Sequence, residues 1–123
     1  MPRKPVLDPR RKRVLEIAAG LPEATARDQQ HIKFEVRGKS FAYYLDAHHG
    51  DGRIAINVKA APGQQQALIA AYPKRFFMPA YLGPKGWLGL YLDTGDIDWD
   101  EVTELITASY RMIAPKRLAA LVS

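Results

Sequence analysis

Residues 31–46 read HIKFEVRGKSFAYYLD. The first half alternates, with Ile32, Phe34 and Val36 on one side and His31, Lys33, Glu35 and Arg37 on the other. Alternation at period two marks a strand with one buried face. Gly38-Lys39 reads as a two-residue hairpin loop of the Gly-X kind. Folding there sets Val36 opposite Phe41, Phe34 opposite Tyr43 and Ile32 opposite Leu45. Directly opposed residues share a sheet face, so these apolar side chains meet on one side. The hairpin predicts an antiparallel sheet and fixes which neighbouring residues point away from the core.

Other segments extend the sheet. In RIAINVK (53–59), Ile54, Ile56 and Val58 point inward, and Arg53, Ala55, Asn57 and Lys59 outward. In WLGLYL (87–92), Leu88, Leu90 and Leu92 belong to the core, which leaves Trp87, Gly89 and Tyr91 on the far side. HHGDG (48–52) is a turn, and residues 76–82 read as a short strand or extended loop. Three helices are expected. Asp8-Pro9 supplies an N-cap and a Pro at N1 for a helix running to about Ala19, with Gly20 after it. Pro62-Gly63 opens QQQALIAAY, which Pro73 stops. Asp98 caps the last, with Glu101 as its capping-box partner. There Trp99, Val102, Leu105, Ile106, Ser109 and Ile113 form one stripe, and Pro115 ends it. The order predicts an α+β fold, a mainly antiparallel sheet with helices packed on one face.

The chain of 123 residues is expected to be a single domain, 1–123, in which a basic arm, 1–13, leads into the first helix. It contains no cysteine, which excludes disulfides, thiolate metal sites and cysteine catalysis and fits a cytoplasmic location. No apolar run approaches the ~20 residues of a membrane span. Residues 1–13 hold six cations against Asp8, which equals the whole net charge of +5. The remainder is balanced but segregated: residues 27–85 are net basic, and residues 93–104 carry six acids and no base. That asymmetry is compatible with an anionic partner. Arg10 to Arg13 sit where the helix dipole disfavours cations, which hints at a use for them.

Several motifs fail on spacing. GKS (38–40) lacks the earlier glycine and the following helix of a phosphate loop. Asp96, Asp98 and Asp100 imitate a calcium loop but lack its later glycine and glutamate, and helix capping explains them better. His48 and His49 in an extended segment point to opposite sides, so no metal is assigned. No catalytic set emerges, so no enzyme activity and no cofactor are expected.

What remains is the outward sheet face. The hairpin register places Lys33, Glu35, Arg37, Ala42, Tyr44, Arg53, Asn57 and Lys59 there, beside Trp87, Gly89 and Tyr91. Lys39 and Lys85 sit at neighbouring loop tips. Cations that track phosphates, with aromatics for bases, are what a nucleic-acid surface needs. Two other uses stay open for the aromatics: a homodimer interface, or cover by the tail Leu118 to Val122.

The segments LPEAT (21–25), FEVRGKSFA (34–42), HHGDGR (48–53), KAAPGQQQAL (59–68), FFMPAYLGPKGWLGLYLD (76–93) and DWDEVTELITASYRMIAPKRLAAL (98–121) together resemble the MmcQ/YjbR family. The resemblance covers nearly everything after the basic arm. It implies a double-wing, CyaY-like (frataxin-like) α+β fold, and DNA binding by fold-level analogy. It supplies no catalytic residues. A frataxin-like fold also suggests iron handling through an acidic first helix, and the basic first helix here argues against that. Two positions depart from the pattern: RDQQ (27–30), and Asn57 where a bulky aromatic is expected.

The expectation is a non-enzymatic, cytoplasmic DNA-binding protein, monomeric or homodimeric, with no membrane role. Lys33, Arg37, Lys39, Arg53, Lys59 and Lys85 would meet phosphates, and Tyr44, Trp87 and Tyr91 would stack or wedge. The alternatives are a protein-interaction or dimerisation module and a small-ligand-binding domain.

Overall fold

A computed structural model describes residues 8–47 and 52–122. The His48-His49 turn and the arm residues Arg3 and Lys4 lie outside the described residues. The elements run α1 (Pro9–Ala19), β1 (Ala24–Asp28), β2 (Ile32–Val36), β3 (Lys39–Asp46), β4 (Ile54–Lys59), α2 (Gln64–Ala71), β5 (Phe76–Phe77), a 3-10 turn (Gly83–Lys85), β6 (Trp87–Tyr91), α3 (Trp99–Ile113) and α4 (Lys116–Ala119). The strands form one six-stranded sheet in the order β1-β2-β3-β4-β6-β5, every pairing antiparallel. The α+β architecture is as the sequence predicts. No described helix is long and apolar enough to cross a membrane.

The hairpin differs from its expected form in a consequential way. The loop is Arg37-Gly38, not Gly38-Lys39, and both residues have positive φ, 51° and 79°. Positive φ at both loop positions is the type I′ geometry, whose twist suits the flanking strands. Val36 therefore faces Lys39 and Glu35 faces Ser40. A bulge follows, in which Phe41 and Ala42 together oppose Phe34. Beyond it Lys33 faces Tyr43 and Ile32 faces Tyr44, one residue away from the expected register. A one-residue slip exchanges the faces. Tyr44 and Ala42, expected outside, are in the core, and Tyr43 and Leu45 go to the opposite face.

Ser109 of α3 explains why the bulge is tolerated. Its hydroxyl donates to the Phe41 carbonyl at 2.6 Å and accepts the Lys59 N–H at 2.9 Å. One side chain thus bridges two strands where the β3–β4 ladder stops, and it is fully buried there. Its neighbour Tyr110 meets Phe41 edge-on at 5.3 Å and donates its hydroxyl to the Pro22 carbonyl at 2.6 Å. The Ser-Tyr pair is a packing device that joins helix, bulge and the approach to β1.

The core lies between the sheet and the helices α1 and α3. It contains Val14 and Ala18, the inward residues of β2 to β6, and Val102, Leu105, Ile106 and Tyr110. Asp8 caps α1 as expected, accepting the Arg10 N–H. Asp98 caps α3, its Oδ1 accepting the N–H groups of Asp100 and Glu101 at 3.1 Å. The Glu101 side chain does not complete the expected capping box; it pairs with Arg75 instead. Three of the four cations at the start of α1 serve as ties. Arg10 reaches Asp8 and the Leu92 carbonyl, Arg11 reaches Asp28 and the Gln30 carbonyl, and the Arg13 guanidinium lies 5.5 Å from the Trp99 ring. The tail turns through α4 and inserts Leu118 into this same core, while Arg111 donates to the Val122 carbonyl.

Candidate functional site on the sheet face opposite α1 and α3

Pairing and alternation fix what this face carries. One cross-strand row runs Arg27, Lys33, Tyr43, Asn57, Gly89, Phe77 from edge to edge. A neighbouring row brings Glu35 and Ser40 together on one side and Lys59 and Trp87 on the other. A third joins Leu45, Ala55 and Tyr91.

Four aromatic rings cluster across these rows. Tyr43 and Trp87 lie 5.7 Å apart between centroids, and Phe77 stacks on Tyr91 at 4.4 Å and 25°. Gly89 is the reason that stack fits. A Cβ there would come within 2.3 Å of the Phe77 ring, so only glycine lets the ring lie against the strand. Trp87 is only 7% exposed. Asn57 is 6% exposed, and its Oδ1 finds no hydrogen-bond partner among the described residues.

The expected site residues are placed unequally. Lys33 is half-buried on the face, 3.9 Å from Glu35, which also binds Arg27 at 2.9 Å. Lys59 stands beside Trp87 on the ladder, and Lys39 and Lys85 are exposed at the same end of the sheet. These last three form no ion pair among the described residues. Arg37 is in the hairpin turn and pairs with Glu23 at 2.6 Å. Arg53 lies 3.6 Å over the Tyr91 ring and forks onto Asp93, which also accepts the Ile54 N–H at 2.9 Å. The Arg53 hydrogen bond holds the Asp93 carboxyl below the usual range, against the opposite pull of its burial. Tyr44 is removed from the site altogether. Its ring is in the core 5.4 Å from the Arg11 guanidinium, and burial pushes its phenol up to about 12.

The face thus keeps Lys33, Lys59, Trp87 and Tyr91, with Lys85 in the loop beside it, while Lys39 stands opposite the core residue Val36 at the end of the hairpin. Sequence reasoning missed Tyr43, Phe77 and Arg27. Tyr-Tyr (43–44) and Phe-Phe (76–77) each offer one ring per face, and alternation alone cannot choose which. Gly89 was the available signal, since a strand glycine marks a close approach.

Two other features bear on use. The tail, left open by the sequence as a cover for Trp87, packs with α3 through Leu118 on the helix side. A cleft of about 90 Å³ opens between the end of β6 and the start of α3, lined by Arg75, Tyr91, Asp98 and Glu101 among others. That is well below the roughly 300 Å³ at which small-ligand sites begin.

A family model described as YjbR matches residues 19–112. The chain also superimposes on the crystal structure of the Deinococcus radiodurans protein DR2400, a DUF419 domain, with a TM-score of 0.66. Identity there is 22%, over 81% of this chain and 75% of that one, which shows a shared fold. No curated protein matches the chain.

Proposed function

We propose that this chain, which belongs to the YjbR family, binds DNA on the sheet face opposite α1 and α3. One observation carries the reading. Tyr43, Phe77 and Tyr91 are grouped, partly exposed, around the buried Trp87 on a face that the tail leaves uncovered, with Lys33 and Lys59 on it and Lys39 and Lys85 at the adjoining end of the sheet. Rings offer stacking surface, and lysines without carboxylate partners can neutralise phosphates and release their counterions. The protein acts as a binding module rather than an enzyme, and its cysteine-free composition suits the cytoplasm.

Fluorescence anisotropy with labelled oligonucleotides between 50 and 200 mM salt tests this. Affinity is expected to fall linearly with salt on logarithmic axes, and Lys59→Ala with Lys85→Ala is expected to reduce that slope by about 1 per lysine. Absence of binding at low salt, or an unchanged slope in the double variant, overturns the proposal. A stable dimer by light scattering that Tyr43→Ala splits would make the face a subunit interface instead.

A further inference from the structure

Tyr81 is 86% exposed, yet its backbone is held at φ 66°. The Leu82 N–H donates to the Ala80 carbonyl at 2.7 Å, which makes Tyr81 the centre of a γ-turn. The positive-φ γ-turn is rare and strained for a residue with a Cβ. The surrounding loop is firmly tied. Gly83 N–H donates to Pro79, and the N–H groups of Lys85 and Trp87 both donate to the Leu82 carbonyl. Gln65, buried at the edge of β6, donates to the carbonyls of Gly83 and Trp87. Gly83 packs so closely on Met78 that a Cβ would lie 2.6 Å from the sulfur. The phenol ring itself makes no hydrogen bond or ring contact among the described residues. Strain is therefore kept at a pinned loop to hold an aromatic ring in solvent, one residue from the carbonyl that accepts the Trp87 N–H. Strain of this kind concentrates at ligand sites.

We infer that the polynucleotide bound on this face is single-stranded and that Tyr81 stacks on one of its unpaired bases. This rests on the DNA-binding reading above. Paired bases present only their edges, and reading those edges takes a helix or a two-stranded ribbon that enters a groove. Here Phe77 lies against Gly89 and covers one side of Tyr91, while Arg53 covers the other, so the sheet surface offers the partly exposed Phe77 and Tyr43 rings as its platform. Unpaired bases present their π-faces to such platforms. Lys59, beside Trp87 on the ladder, and the exposed Lys85, at the end of the 3-10 turn that follows Tyr81, would meet the flanking phosphates. With the backbone of Tyr81 already tied by the loop, stacking has only the side-chain torsions left to order.

The test compares a labelled 12-nucleotide DNA single strand, its RNA counterpart and the DNA duplex, against the full chain and its Tyr81→Phe, Tyr81→Ala and Tyr81→Gly variants. Single-stranded DNA is expected to bind at least 10-fold tighter than duplex. Tyr81→Phe is expected to bind like the parent, while Tyr81→Ala and Tyr81→Gly bind the single strand about 10-fold more weakly. Tyr81→Gly should at the same time raise the melting temperature, because glycine accepts positive φ without strain. Affinity falling while stability rises separates a contact from a structural role. Duplex bound as well as single strand, with Tyr81 variants unaffected, overturns this inference and leaves the DNA-binding reading standing. No binding of any strand overturns both. RNA bound more tightly than DNA, with the same Tyr81 dependence, supports the single-strand inference and reassigns the ligand.

Discussion

Gly89, Asn57 and Ser109 show how single residues set this surface. Gly89 leaves room for the Phe77 ring, so Gly89→Ala is expected to push the ring off Tyr91 and cost about 1–3 kcal/mol, measurable by urea unfolding. Asn57 has the opposite sign. Its Oδ1 is buried without a partner among the described residues, and such a group costs free energy. Asn57→Val, β-branched and apolar on a central strand, is expected to raise stability by about 1 kcal/mol in the same measurement. Ser109→Ala would leave both the Phe41 carbonyl and the Lys59 N–H without their partner, and is expected to cost about 1–3 kcal/mol. Glycine between aromatics and serine on a helix stripe were both visible in the sequence. The ring and the two strands they serve were not, because those partners come from distant segments.

At the scale of elements, the bulge in β3 is the decisive feature. It turns Tyr44 inward and Tyr43 outward, so the ring on the face opposite the helices is Tyr43 and not the expected Tyr44. The Tyr44 hydroxyl has no partner among the described residues, and its phenol titrates only near 12. A phenol whose pKa is raised by folding contributes stability below its ordinary value of about 10, lost as pH rises from there toward about 12. Tyr44→Phe is therefore expected to flatten the alkaline side of the stability profile at little cost near neutrality. The β4–β6 end behaves in the other direction. Asp93, held low chiefly by Arg53, contributes stability above about pH 4 that is lost as pH falls through its folded value. Asp93→Asn should make acid unfolding shallower, followed by circular dichroism against pH. Strand β1 was absent from the sequence reading because ATARD (24–28) places only Ala24 and Ala26 toward the core, too little hydrophobic contrast to register.

On the scale of the whole molecule, the two faces of the sheet divide the work. Helices α1 and α3 and the tail share one side, where Leu118 completes the core. Leu118→Ala is expected to cost about 2–4 kcal/mol by thermal or urea unfolding. Below the melting temperature it should leave oligonucleotide affinity unchanged, since the residue lies across the sheet from the rings. The charge asymmetry also acquires a physical meaning. Three of the four cations at the start of α1, Arg10, Arg11 and Arg13, are committed to Asp8, Asp28, Trp99 and backbone carbonyls. Among the described residues Lys39, Lys59 and Lys85, at one end of the sheet, form no ion pair.

The sequence by itself determined the α+β class, the helix caps at Asp8 and Asp98, the inward leucines of β6 and the outward Trp87, Gly89 and Tyr91. Each follows from local periodicity or capping, which the chain encodes over a few residues. Only the tertiary structure decided which tyrosine of 43–44 faces the core, which cations stay unpaired, where the tail lies and that Tyr81 is held in solvent. A bulge costs one residue and leaves the apolar pattern on either side intact, so alternation reads the same with it or without it. Its position was fixed by Ser109 and Tyr110, more than sixty residues away along the chain, closing on Phe41.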